Sequence, residues 1–206
     1  MGAAALIDWA VAAHALPGET ESGDLHFVKA NEAGALVSVV DGLGHGGEAA
    51  VAARAAVAAL DRFSDEAPLS LVARCHQALA GTRGVVMSVA SFDRAGRTMT
   101  WLGVGNVEGV LLYSDPGSRR GRTTLVAPGG IVGSAMPRLR AEVISIVPGD
   151  LLIFASDGIR GGFAEDLPAE ATPQQLADDI LARSSKGTDD ALALVVRYVG
   201  GARNSR

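Results

Sequence analysis

Short apolar segments separated by polar turns recur along most of this chain. They predict strands at Ile7–Ala13, Leu25–Ala30 and Leu36–Val40. The pattern then changes. Glu48–Phe63 is rich in Ala, holds no Gly or Pro, and predicts a helix. Pro68 opens a second helix reaching about Ala80, whose apolar stripe Leu71, Val72, Cys75 and Leu79 has helical spacing. Strand patterns return at Val85–Phe92 and Thr98–Val104, joined by a Gly-containing connection over Asp93–Arg97. They continue at Val107–Tyr113, Thr123–Val126, Ala141–Val147 and Leu151–Ala155. Thr172 as N-cap and Pro173 at the first helical position predict a third helix, Pro173–Arg183, before a final strand at Ala191–Tyr198.

Strands that follow one another through short turns pair antiparallel, because a parallel pair needs a long crossover. The helices fall in two groups, one after the third strand and one before the last. This order predicts an α+β layered sandwich of antiparallel sheets covered by helices. No linker or repeat divides the sequence, so residues 1–199 are expected to form a single domain, with 200–206 a disordered tail.

Composition narrows the function. Of 206 residues, 48% are hydrophobic and only 4% aromatic, so a core of Val, Leu, Ile and Ala is available and disorder is not expected. The net charge of -5 argues against a nucleic-acid surface, which needs a basic patch. The one basic run, Arg119-Arg120-Gly121-Arg122, reads as a solvated loop. Cys75 is the single cysteine, which excludes an intrachain disulfide and fits a reducing cytoplasm; its place on the apolar stripe makes it a packing residue. The apolar segment Ala3–Leu16 lacks a basic leader and is interrupted by Asp8, so it reads as a strand and neither a signal peptide nor a membrane span.

The chemistry resides in acidic residues at strand ends. Asp41 ends one apolar run and opens the turn Gly42-Leu43-Gly44-His45-Gly46-Gly47; Asp157 ends another and is followed by Gly158. Asp24 stands just before the second strand, and Asp189-Asp190 just before the last. Like charges gathered this way repel unless a cation neutralises them. Hard divalent ions take carboxylate, carbonyl and water oxygens, and no Cys/His set suits a structural zinc. Carboxylates holding Mg²⁺ or Mn²⁺ suit phosphate-ester hydrolysis by a metal-activated water. No Gly-x-Ser-x-Gly or Ser-His-Asp order offers a nucleophilic alternative. His45, in the Gly-rich turn, is a candidate general acid, although cations beside it would depress its proton affinity. His14, His26 and His76 fall on predicted elements and read as packing or surface residues, and Asn106 reads as a turn residue that tolerates the left-handed conformation.

Ser22-Gly23-Asp24, Asp41-Gly42-Leu43-Gly44-His45-Gly46, Ser156-Asp157-Gly158 and Asp189-Asp190 resemble, in order, the metal-binding motifs of the PPM (type-2C) serine/threonine protein phosphatases, in their SpoIIE-like branch. The segments Arg74–Leu79, Arg83-Gly84, Gly103–Val107 and Gly130–Gly133 resemble the stand-alone stressosome phosphatases of that branch. The resemblance implies an α-β-β-α sandwich with two Mn²⁺ (or Mg²⁺) ions between the sheets at one end. Asp41 would bridge the ions and Gly42 would ligate one through its carbonyl. Asp157 and Asp189 or Asp190 would complete the other, and Asp24 would act nearby through water. The implied substrates are phospho-Ser and phospho-Thr of stressosome proteins, so a monomeric cytoplasmic enzyme would reset a stress response. No Arg stands near the first motif, where eukaryotic members carry a phosphate-clamping one, and Leu192 stands where a hydroxyl residue is common.

Two other readings compete. Gly42-x-Gly44-x-x-Gly47 formally matches a dinucleotide-binding fingerprint, but Asp41 would face the pyrophosphate and the following chain does not alternate β and α. A catalytically inactive domain of the same family, serving as a binding module, would keep the fold without turnover.

Overall fold

The computed structural model describes residues 5–115, 121–168 and 170–200. Its elements in chain order are β1 (Ile7–His14), β2 (Asp24–Ala30), β3 (Gly34–Gly42), α1 (Gly46–Arg62), α2 (Pro68–Ala78), β4 (Val85–Asp93), β5 (Thr98–Val104), β6 (Glu108–Leu112), β7 (Arg122–Leu125), β8 (Glu142–Ser145), β9 (Leu151–Ala155), α3 (Pro173–Ser184) and β10 (Ala191–Tyr198). Two five-stranded sheets form, one in the order β1-β10-β9-β6-β7 and one in the order β2-β3-β4-β5-β8, and every pairing is antiparallel. The α+β sandwich expected from the strand and turn pattern is therefore present. A dinucleotide-binding fold is not, because Gly42, Gly44 and Gly47 follow a strand of an antiparallel sheet and no βαβ unit surrounds them.

The continuous apolar runs are central strands buried on both faces, and the two-residue period divides each between two cores. In β3, Val37 and Val39 point between the sheets while Leu36 and Val40 point toward α1 and α2. In β10, Leu192, Leu194 and Val196 enter the inter-sheet core while Ala191, Ala193 and Val195 meet α3. Helices α1 and α2 thus cover one sheet, α3 the other, and four layers result.

Helix α1 comes unusually near its sheet because its inner face is Ala49, Ala52, Ala53, Ala56 and Ala59. A Cβ at Gly42 would overlap the Ala49 carbonyl oxygen, so this close approach, and no special dihedral, requires glycine there. Capping starts α3 as the sequence implies: Thr172 accepts from Gln175 N, and Gln175 accepts in return from Thr172 N. Cys75 is fully buried under α1. No described helix is long and apolar enough to cross a membrane. Arg119, Arg120 and residues 201–206 lie outside the described residues; Arg122 begins β7 and pairs with Glu165.

Candidate metal centre

The acidic motifs meet at one end of the sandwich because antiparallel register places them there. Asp24 and Asp41 are direct cross-strand partners at the β2–β3 end. Ser156, just beyond β9 in the other sheet, donates from Oγ to Asp24 Oδ2 at 2.6 Å. Asp190, just before β10, accepts from Gly23 N at 2.7 Å through Oδ2 and from Leu16 N at 2.8 Å through Oδ1. Motifs spread over 167 positions of sequence are thereby joined by single hydrogen bonds.

The five aspartates divide by burial and by partners. Asp24 and Asp190 are buried, at 4% and 3% exposure, while Asp41, Asp157 and Asp189 are half-buried and reachable from solvent. Asp190 N donates to Asp189 Oδ1 at 2.9 Å. Asn106 Nδ2 donates to Asp157 Oδ2 at 2.8 Å, and Lys186 Nζ donates to the Asp157 backbone carbonyl. Among the described residues Asp41 receives no side-chain hydrogen bond, and none of the five carboxylates forms an ion pair with Lys or Arg.

Electrostatics follow from that arrangement. Burial pushes Asp41 up to about 9 from an ordinary 3.8, with the negative charges of Asp24, Asp157, Asp189 and Asp190 adding to the rise. Burial likewise pushes Asp24 up to about 7, opposed by the Ser156 hydrogen bond and reinforced by the charges of Asp190, Asp157 and Asp189. Among the described residues no Lys or Arg pairs with these carboxylates, Lys186 reaching only the Asp157 backbone carbonyl, so the end of the sandwich holds protons or calls for a cation.

The donor set fits a hard divalent ion. All the available donors are oxygens, and among the described residues no group of three or more His, Cys, Asp or Glu side chains is arranged to hold a metal ion by itself. Mg²⁺ and comparable ions keep several waters and use only one or two carboxylates each, so an open array suits them. Glycine keeps the array dense. A Cβ at Gly158 would overlap the Asp190 carbonyl oxygen, and one at Gly23 would lie 2.8 Å from the Ala49 side chain.

Tertiary structure adds residues that sequence spacing did not single out. Asn106 stands on Asp157, whereas the sequence suggested a left-handed turn residue; Gly105 carries the positive φ of +90° instead. Arg83, ion-paired with Glu48, lies against Gly44 in the Asp41–Gly46 turn, although no Arg is near the first motif in sequence. Leu192 lacks the common hydroxyl, and its backbone N donates to Ser156 Oγ at 2.9 Å while its side chain enters the core. His45 is exposed, and its Nδ1 donates to Glu19 Oε1 at 2.7 Å. His14 bonds Ser185 Oγ, His26 stands against Trp9, and His76 Nδ1 accepts from Gly133 N, so each serves packing or loop anchoring. The two clefts of about 520 Å³ are lined by Lys29, Asp93 and neighbours, or by Tyr113, Arg197 and neighbours, and contain none of the five aspartates.

Comparison with known proteins agrees with this geometry. The family model for Stage II sporulation protein E (SpoIIE) matches residues 31–199. Phosphoserine phosphatase RsbX of Bacillus subtilis (strain 168) is 32% identical over 94 residues, 46% of this chain and 47% of that one, so the match spans about half the relative's length. A chain solved in work on the bacterial stressosome as a modular system adapted to control secondary messenger signalling superposes with a TM-score of 0.84 at 30% identity, covering 93% of this chain and 99% of that one. RsbX in complex with magnesium superposes with a TM-score of 0.82 at 21% identity, covering 93% and 94%, which is a likeness of fold. With most of its length matched by the family model and the acidic motifs gathered at one end of a four-layer sandwich, this chain belongs to the SpoIIE family of PPM-type phosphatase domains.

Proposed function

We propose that this protein is a metal-dependent phosphatase that hydrolyses phospho-Ser and phospho-Thr on other proteins. The observation that carries the reading is the meeting of Asp24 and Asp41, cross-strand partners at one end of the sandwich, with the charges of three further aspartates close enough to act on both and no Lys or Arg ion pair to any of the five among the described residues. A fold alone would not need such an arrangement, and burying charge without a partner is costly.

In this reading Asp41, the Gly42 carbonyl, Asp157 and Asp189 offer oxygens to two Mn²⁺ or Mg²⁺ ions. Bound there, the ions would supply a water of lowered pKa and offset the charge that grows on the phosphoryl oxygens. Asp24, oriented by Ser156, would act on the ions through water. Of the last pair, Asp189 would be the direct ligand, since both oxygens of Asp190 already accept from backbone N–H groups. Asp190 instead ties the β2 approach to the β10 approach. His45, its ring held by Glu19, is the candidate general acid that would give a proton to the departing Ser or Thr oxygen.

The 32% identity with a phosphoserine phosphatase over 46% of this chain, and the likeness to a chain from stressosome work, support phosphorylated stressosome proteins as substrates; the enzyme is proposed to be monomeric and cytoplasmic. The test is phosphate release from phospho-Ser and phospho-Thr stressosome proteins in Mn²⁺, beside the Asp157→Ala variant. Turnover by the wild type, abolished in a folded Asp157→Ala, is expected. Absence of turnover in folded, Mn²⁺-loaded wild type would instead identify a binding module.

A further inference from the structure

We propose that Asn106 is a positioning residue for Asp157, orienting its carboxylate for the metal; this rests on the function proposed above. The β5–β6 turn that carries Asn106 is fixed on both sides. Gly105 takes a φ of +90° and donates to the Pro128 carbonyl at 2.9 Å, and a Cβ at Gly105 would overlap the Val86 side chain. Val107 is 2% exposed and its carbonyl accepts from the buried Ser88 Oγ at 3.0 Å. Between these anchors Asn106 itself is exposed, and its hydrogen bond among the described residues goes to Asp157 Oδ2 at 2.8 Å.

The side chain therefore contributes nothing to the core, and its chemistry is what matters. A carboxylate has two oxygens. A neutral amide donor fixes the rotamer by occupying one, while the full negative charge remains for a cation at the other. A Lys or Arg in the same place would compete with the metal, and an Asp or Glu would repel the carboxylate. The backbone of Asp157 is held as well, by Lys186 on its carbonyl. Outer partners that orient ligands in this way are worth about 10- to 100-fold in metal affinity.

The experiment measures Mn²⁺ binding by titration calorimetry and by the spin-resonance signal of bound Mn²⁺, with no substrate present, for wild type and Asn106→Ala. The thermal midpoint of each metal-free protein is recorded in parallel. The expected result is a Mn²⁺ dissociation constant about 10-fold weaker in the variant, a changed Mn²⁺ signal, and an unchanged metal-free midpoint. Kinetics at saturating Mn²⁺ should recover most of the lost turnover with KM for substrate unchanged. An unaltered Mn²⁺ dissociation constant, or a raised KM with unaltered Mn²⁺ binding, would overturn the proposal in favour of substrate contact. A fall in the metal-free midpoint with Mn²⁺ affinity preserved would overturn it in favour of a structural role. Folded wild type that binds no Mn²⁺ would instead bring down the metal-dependent function itself.

Discussion

Replacing Asp41 by Asn separates the electrostatic strain of the metal-free site from its capacity to hold metal. In the metal-free fold the Asp41 carboxyl is pushed up to about 9, against 3.8 ordinarily. Below about pH 4 it is protonated in both folded and unfolded chains, and it contributes nothing to the pH dependence. Between about pH 4 and pH 9 the unfolded chain releases this proton and the fold retains it. The folded state then binds more protons, so stability falls as pH rises across that window and levels off above it. At pH 7 the difference between 7 and 3.8 corresponds to roughly 4 kcal/mol of lost stability. Asp24, at about 7, adds to the loss in the same direction between about pH 4 and pH 7. Asn keeps the shape and carries no ionisation.

In EDTA, Asp41→Asn should therefore unfold at a midpoint roughly 10 °C above wild type at pH 7, and close to wild type at pH 4. Calorimetric or fluorescence melts from pH 4 to pH 9 are the assay. Mn²⁺ should reverse the order at pH 7, because it stabilises the wild type by binding and leaves the variant, short of a ligand, unaffected. A flat wild-type profile from pH 4 to pH 8 in EDTA, or a variant no more stable than wild type at pH 7, would refute the reasoning.

Ser156→Ala removes the donor to Asp24 and leaves Leu192 N without its partner, so it should cost about 1–3 kcal/mol in urea titrations and move the Asp24 titration above about 7, read by carboxyl NMR. Asp190→Asn offers one acceptor oxygen where Leu16 N and Gly23 N now use two, and should lose about 1–3 kcal/mol by the same assay, whereas a stability equal to wild type would show that these bonds do not hold the site together. His45→Gln should lower turnover of phospho-Ser protein and spare an aryl phosphate, whose leaving group needs no proton; equal losses on both would remove His45 as proton donor.

The alternation of apolar and polar residues was enough to determine the elements of this fold. Runs such as Ala35–Val40 and Leu151–Ala155 admit only central strands, because a helix of those residues would be too short and every face of it apolar. The same local reading marked Asp41 and Asp157 as strand-end carboxylates, and Thr172-Pro173 as a helix start. Which face each strand presents, and which ends coincide, depend on pairing register across long separations. That is why Asp24 opposite Asp41, Ser156 on Asp24, and Asp190 on Gly23 appear only in three dimensions. Asn106 escaped for the same reason: its partner lies 51 positions away, at the end of the β6–β9 ladder, and nothing in Gly-Asn-Val says so. The glycines tell a similar story. Gly42 is glycine because a helix backbone rests on it, a fact of packing that dihedral preference cannot supply. Residue chemistry determined that a hard cation could be held; the antiparallel closure of two sheets decided which oxygens face it and which are spent on holding the backbone.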